Sequence, residues 1–394
     1  MKEKGTRPGA GRRAAAGPAA VLLATVLLAA AGCGGNAGGS ADSGSAQQSG
    51  TDVFSAVDFT VSVEEGKDPV VLQLTDPQFT DLAQAEEKCY RYMRETIENT
   101  SPDLILVTGD LIYGHMDDDG SIFVDFVEFM EGFDIPWAPI FGNHDAECEM
   151  GADWMCARLE EAENCLFLQR ELSGNGNYTV GIEQGGALKR VFFMLDSNGC
   201  SQASVASLAN GHTEVGMGLE PDQMRWFVEV GTEILEASPE TKISFVCHIP
   251  PAIFSEAFAK YGYTDTGEEK INIDRLPDKD AGDFGYIGEK MVTWDSANIV
   301  WNAMKGLQTD SLFVGHCHTN SASVVYEGVR FQFGQKSSTY DSFNSVTAGG
   351  EIVPGSASAG TPLVGGTVIP LSGTDGSLLQ PYIYLCGDAA DLLG

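Results

Sequence analysis

The feature that most constrains the fold is an alternation of short apolar runs and amphipathic stretches between residues 68 and 145. "DPVVLQLTD" (68–76), "PDLILVTGD" (102–110) and "PWAPIFGNHD" (136–145) are brief and apolar, as strands covered on both faces are. Between them, "LAQAEEKCYRYMRETIENT" (82–100) has apolar residues at helical spacing: Leu82, Cys89, Tyr90, Met93 and Ile97. "SIFVDFVEFMEGF" (121–133) has the same period at Phe123, Phe126, Val127 and Met130. Strand, helix, strand, helix, strand predicts parallel pairing and an α/β class. Parallel sheets collect ligands outside the carboxyl ends of their strands. All three runs end there in polar residues, "TDPQ", "TGDLIYG" and "GNHDAE".

The pattern continues with strands at "RVFFMLDSNG" (190–199), "KISFVCHIPP" (242–251) and "SLFVGHCHTN" (311–320), and a helix at 220–237 with a stripe of Met224, Phe227, Val228 and Ile234. In the tail, "VVYEG", "VRFQFGQ", "TVIPLS" and "PYIYLCG" predict antiparallel strands of a second sheet. Residues 254–290 form an acidic, aromatic insertion: either a lid carrying Tyr261, Tyr263, Phe284 and Tyr286, or a hairpin packed on its own aromatics. The Gly-, Ser- and Pro-rich residues 346–366 predict a mobile loop. No internal repeat is present.

The N-terminus predicts export. Lys2, Lys4, Arg7, Arg12 and Arg13 precede the apolar stretch "AAVLLATVLLAAA", and small residues lead to Cys33. "AAGC" resembles a bacterial lipobox. That implies a signal peptide over 1–32, lipidation at Cys33 and anchoring to the outer face of the bacterial cytoplasmic membrane. The Gly/Ser-rich sequence after it predicts a flexible tether over 33–66, followed by one domain over 67–394. Net charge is -33 and the pI about 4.3, which argues against nucleic-acid partners, since those require a basic footprint. In an exported chain the cysteines permit disulfides, with Cys148, Cys156 and Cys165 the nearest together.

Collected from the strand ends, the polar residues are Asp76, Asp110, Asn143, His144, His248, His316 and His318. Singly, an Asp at a strand exit is more often a turn residue. Together, four of the chain's six histidines with two carboxylates and an amide suit Mn, Fe or Zn, and their number suits two ions sharing one carboxylate. The series "TDPQ", "GD", "GNHD", "CH" and "GHCH", in this order, resembles the calcineurin-like metallophosphoesterase superfamily, closest to its single-domain, purple-acid-phosphatase-related branch. "GNYTV", "LEPDQMRWF" and "VRFQFGQKSSTYDSF" support that branch.

The resemblance implies a two-sheet β-sandwich flanked by helices, a four-layer α/β/β/α fold. It implies a phosphatase that hydrolyses phosphate monoesters by attack of hydroxide between two divalent or trivalent ions. Asp110 would bridge the ions, Asp76 and His318 would hold the first, and Asn143, His248 and His316 the second. His144 would donate a proton to the leaving oxygen, with Asp145 orienting its ring. One position departs from the family's Asp-x-His: Gln78 stands where the His is expected. Either Gln78 or Tyr113, three residues after Asp110, would then complete the first shell. The alternatives are a phosphodiesterase or nucleotide hydrolase, or a lipoprotein that binds metal or phosphate without turnover.

Overall fold

The sandwich is built where those runs predict it. The computed structural model describes residues 53–394 except 82, 200–216, 267–269, 275–281, 295–296, 356–358 and 394. The strands are β1 Phe59–Ser62, β2 Val70–Leu74, β3 Leu104–Thr108, β4 Trp137–Ile140, β5 Tyr178–Gln184, β6 Ala187–Met194, β7 Lys242–Val246, β8 Ile271–Asp274 and β9 Phe284–Ile287. They continue as β10 Ser311–Val314, β11 Asn320–Tyr326, β12 Val329–Phe333, β13 Asn344–Val346, β14 Ile352–Pro354, β15 Thr361–Leu363, β16 Gly365–Pro370 and β17 Tyr382–Leu385. The helices α1 Ala83–Thr100, α2 Ser121–Glu131 and α3 Ala152–Glu161 follow β2, β3 and β4.

One sheet runs β17-β16-β2-β3-β4, with β2, β3 and β4 parallel. The other runs β1-β5-β6-β7-β10-β12-β11-β9-β8, with β6, β7, β10 and β12 parallel. Side chains alternate between the faces of each sheet, as the pleat requires. Phe192 faces inward and shares a core with Val71 and Val107 of the first sheet and with Met93 and Phe126 of its covering helices. The next residue, Phe193, faces outward and packs edge-on against Phe227 of the helix Pro221–Ala237, ring centroids 4.9 Å apart. One core fills the space between the sheets and continues under the helices of the first sheet, and a second lies under the outer helices of the second sheet, which gives the four layers α/β/β/α.

Three expectations are corrected, and one open pair of alternatives is decided. The tether does not extend to 66: β1 pairs in parallel with β5, and Val61 and Val63 are buried, because alternating apolar residues there complete a sheet edge. The tail strands do not make a sheet of their own. β11 and β12 extend the sheet of β10, whereas β16 lies antiparallel to β2 and carries β17 with it. The 346–366 stretch contains β14 and β15, which flank β13 in a small sheet. The insertion is a hairpin rather than a lid: β9 pairs with β11 and β8 with β9, while the buried Tyr263 accepts the Met291 N–H at 2.8 Å.

Cys89, Cys148, Cys156, Cys165, Cys247, Cys317 and Cys386 are buried, and no disulfide joins any two of them. Residues 1–52, with the predicted signal peptide and Cys33, lie outside the described residues. No described helix is long and apolar enough to cross a membrane.

Candidate metal centre

Five strands of the two sheets end side by side, and each exit contributes. Asp76 and Gln78 follow β2, Asp110 follows β3, Asn143 and His144 follow β4, His248 follows β7, and His316 and His318 follow β10. Four of these residues hold a left-handed backbone: Asp76 (φ 50), Gln78 (φ 48), Asp110 (φ 51) and His316 (φ 72). Such backbone costs of order 1 kcal/mol or more per residue and persists where the surroundings enforce it, commonly at functional sites. The glycines before the ligands have a steric cause. A Cβ on Gly142 would lie 2.2 Å from Asp110 Oδ1, and one on Gly315 would lie 2.9 Å from Asp76 Oδ2. The carboxylates occupy space that only glycine leaves open.

Asp110 lies at the middle, fully buried. Its Oδ1 accepts the His144 N–H at 2.9 Å and lies 3.5 Å from His248 Nε2. Ligand atoms of Asp76, Asp110 and His318 all lie within 4.8 Å of one another. On the other side, His248 Nε2 is 3.2 Å from Asn143 Oδ1, and the His316 ring lies 5.1 Å from the His248 ring, centroid to centroid. The donors therefore fall into two groups meeting at Asp110, as two ions with one shared carboxylate require.

The remaining nitrogens are tied back. His248 Nδ1 donates to the Thr108 carbonyl at 2.8 Å. His318 Nδ1 lies 3.1 Å from Asp341 Oδ2 and 3.0 Å from Ser342 Oγ. Both Nε2 atoms are thereby aimed at the centre, the arrangement that fixes metal-binding imidazoles. Burial pushes the Asp76 carboxyl up, but His318 and His248 outweigh it and hold it at about 2. Burial and the neighbouring His248 keep His316 at about 3, hence neutral. Burial lowers His248, but Asp110 raises it to about 9 in the ion-free site. Carboxylates and neutral imidazoles are the forms that ligate, so bound ions would displace the His248 proton. The donor set fits two transition-metal ions.

Two of the assigned roles change. Asp145 does not orient His144: its carboxylate is buried and accepts the N–H groups of Gly142 at 2.6 Å and Ile112 at 3.1 Å. It fixes the loop instead. Burial and the Asp110 charge push Asp145 up to about 8 against those two donors, and a cation on Asp110 would remove the second cause. The carboxylate on the His144 ring is Glu147, whose Oε2 lies 2.8 Å from Nδ1. A single turn, with Glu147 three residues after His144, makes this contact, and spacing alone could have suggested it. Burial lowers the His144 pKa, but Asp110 and Glu147 raise it to about 9 in the ion-free site; a cation on Asp110 would remove the first of these causes and leave Glu147.

Tyr113 forms a wall. Its ring packs on His144 (centroids 4.5 Å apart, 31° between planes), flanked by His115 and Tyr340. Burial, Asp341 and Glu147 push its phenol upward, opposite to the direction a tyrosinate ligand needs. Gln78 reaches the centre with its amide nitrogen, 3.4 Å from Asp110 Oδ2 and 3.3 Å from His318 Nε2. Its oxygen accepts from the buried Lys336 Nζ at 2.8 Å. For the oxygen to serve as a ligand, the amide must turn over and give up Lys336. Sequence reasoning assigned no role to Glu147, Asp341 or Lys336, although two of these lie in "VRFQFGQKSSTYDSF".

The fold and the site define a class of protein: a two-sheet sandwich with a donor set for two ions at its strand ends. Residues 69–319 match the calcineurin-like phosphoesterase family, and the chain belongs to it. It is 25% identical over 219 residues to an uncharacterized Schizosaccharomyces pombe protein, C1020.05, covering 52% of this chain and 40% of that one. It is 31% identical over 102 residues to a probable inactive purple acid phosphatase 14 of Arabidopsis thaliana, covering 23% of this chain and 25% of that one. The chain thus spans less than half the length of these relatives. Among solved structures it is similar to a dimetal phosphatase from Danio rerio (10% identity, TM-score 0.45, 79% of this chain and 98% of that one). It is also similar to the purple acid phosphatase PPD1 of yellow lupin, Lupinus luteus (11% identity, TM-score 0.45, 84% of this chain and 56% of that one).

Proposed function

We propose that the protein is an exported, lipid-tethered phosphatase that hydrolyses phosphate monoesters at a two-ion centre of Mn, Fe or Zn. The observation that carries this reading is an imidazole fixed beside the ion-binding groups: the N–H of His144 is bonded to Asp110 while the His144 ring is held by Glu147. Bound ions would supply Lewis-acid polarisation of the phosphoryl group and an activated water. Asp76, Asp110 and His318 would hold one ion, and Asp110, Asn143, His248 and His316 the other. His144, its ring held by Glu147, donates its proton to the departing alkoxide oxygen. Tyr113 and Tyr340 wall the entrance on the His144 side.

Hydrolysis of p-nitrophenyl phosphate against bis-p-nitrophenyl phosphate, with Mn, Fe and Zn each tested, examines the assignment. The monoester should be preferred and His144→Ala should lower its turnover. Preference for the diester would move the assignment to a phosphodiesterase. A second reading, binding without turnover, is favoured by one contact, the Gln78 oxygen held by Lys336 instead of facing an ion. Absence of turnover with every metal, together with no effect of His144→Ala, would establish it. Export predicts that the protein fractionates with membranes and that Cys33→Ser releases it.

A further inference from the structure

The stretch from Gln335 to Ser342 borders the centre along one side, and Lys336 reaches furthest into it. Its backbone is fixed beside the Asp76 loop: Thr75 and Lys336 form a parallel bridge, Ser337 N–H donates to the Thr75 carbonyl at 3.0 Å, and Thr75 N–H donates to Ser337 Oγ at 3.0 Å. The side chain is buried, and Nζ donates to the Asp76 carbonyl at 2.9 Å and to Gln78 Oε1 at 2.8 Å. Two consequences follow. The Gln78 amide is held with its N–H toward Asp110 and His318, so it presents a donor where an ion needs an acceptor. A fixed positive charge also lies beside the carboxylates that would attract the ion. Burial lowers the Lys336 pKa, and Asp76, Asp341 and Asp110 oppose that by favouring the ammonium. Lys336 and the first ion draw on the same carboxylates. The first position is left with Asp76, Asp110 and His318, whereas the second has Asp110, Asn143, His248 and His316.

We propose that Lys336 sets the affinity difference between the two ion positions, making the Asp76–His318 position the weak, readily exchanged one. The proposal rests on the two-ion reading of the site. Titration of metal-free protein with Mn²⁺ by calorimetry, with bound metal counted after dialysis, tests it. Wild-type protein should take up two ions in two separate steps. Lys336→Met, close to Lys in size, removes the charge and frees the Gln78 amide to turn its oxygen inward. It should tighten the weaker step about tenfold or more, the range in which partners of ligands act, and leave the tighter step unchanged. Lys336→Arg should keep the two steps apart. Gln78→Glu, with Lys336 in place, offers an oxygen to the same position and should tighten the same step, which keeps the test open if Lys336→Met does not fold. Two equal steps in the wild type, or a weaker step that neither Lys336→Met nor Gln78→Glu tightens, would overturn the proposal. Uptake of fewer than two ions by the wild type would instead remove the two-ion reading beneath it.

Discussion

Glu147→Gln isolates the group that holds the His144 ring. The native contact is 2.8 Å between Nδ1 and Oε2, with the two side chains 21% and 15% exposed, so solvent screens it only in part. A hydrogen bond to a charged partner contributes about 1.5–3 kcal/mol, and one pKa unit corresponds to about 1.4 kcal/mol. Glutamine keeps the shape and removes the charge. The His144 pKa, raised by Asp110 and Glu147 to about 9 in the ion-free site, should therefore fall by about one to two units, and with ions on Asp110 the Glu147 share is the larger part of what holds it. The sign follows from the role. His144 acts while protonated, so the rate is intact below its pKa and is lost as pH rises through it. In Glu147→Gln that alkaline limb moves to lower pH. The assay is kcat/KM against pH at saturating metal for phenyl phosphate and p-nitrophenyl phosphate. The poorer phenolate leaving group needs the proton more, so the displacement and the loss of rate should be larger with phenyl phosphate. His115 Nδ1 also lies 3.6 Å from Glu147 Oε2, so His115→Ala serves as the control and should leave the limb in place. Asp145→Asn is the counterpart. Its amide sets a donor against the Gly142 or Ile112 N–H, which costs about 1–3 kcal/mol and lowers Tm, while the limb moves less than in Glu147→Gln because the Asp145 charge is the smaller of the two on His144. A limb that moves in Asp145→Asn and not in Glu147→Gln would refute the assignment.

Three further outcomes follow from the same geometry. Asp341→Asn loosens the His318 ring and should weaken metal binding about 10- to 100-fold in a dialysis or calorimetric titration, with little change in Tm. Gly142→Ala forces a methyl to 2.2 Å from Asp110 Oδ1 and should abolish uptake of the shared-carboxylate ions while the far-UV spectrum stays native. Truncation separates tether from fold. Removing residues 1–52 should leave thermal stability unchanged, whereas removing 1–66 takes away β1 and Asp58, which accepts the Thr179 N–H at 2.9 Å, and should lower Tm measurably.

Legibility in the sequence followed burial and local period. β2, β3, β4, β7 and β10 are buried along nearly their whole length and read as short, mainly apolar runs, and β6 does so over its second half; the helices between them carry a plain stripe. The ligand residues were legible because each closes such a run, and histidine is scarce in this chain. β1 escaped notice because it is four residues long with one buried side chain, directly after a Gly/Ser-rich stretch, and its partner β5 lies far along the chain. β13 to β15 are three residues each in a Gly-rich setting and exist through pairing alone. The groups that orient the ligands were hidden for another reason. Asp145 and Glu147 are both acidic and both near His144, and only the path of the turn decides that one bonds backbone and the other bonds the ring. Lys336 is separated from Gln78 by most of the domain, and nothing local to either announces the contact.

The left-handed backbone at the centre allows the cost of function to be tested against the cost of shape. Asp134 is exposed, has φ 53 and lies away from the site. A non-glycine residue in that region costs roughly 1–2 kcal/mol, and the larger loss of chain freedom takes back part of any gain on changing it to glycine. Asp134→Gly should therefore be neutral or stabilising by up to about 1 kcal/mol. Gln78 has nearly the same φ, 48, so backbone strain alone predicts the same result for Gln78→Gly. There, however, the change also removes the oxygen that Lys336 Nζ bonds at 2.8 Å. Leaving a buried charged donor short of a partner costs about 1–3 kcal/mol or more, which exceeds the relief. Gln78→Gly should then be net destabilising in denaturant unfolding of the metal-free protein, and the double variant Gln78→Gly, Lys336→Met should recover the difference. If Gln78→Gly were as stable as Asp134→Gly, Lys336 would not depend on the amide, and the strained exit after β2 would need another cause.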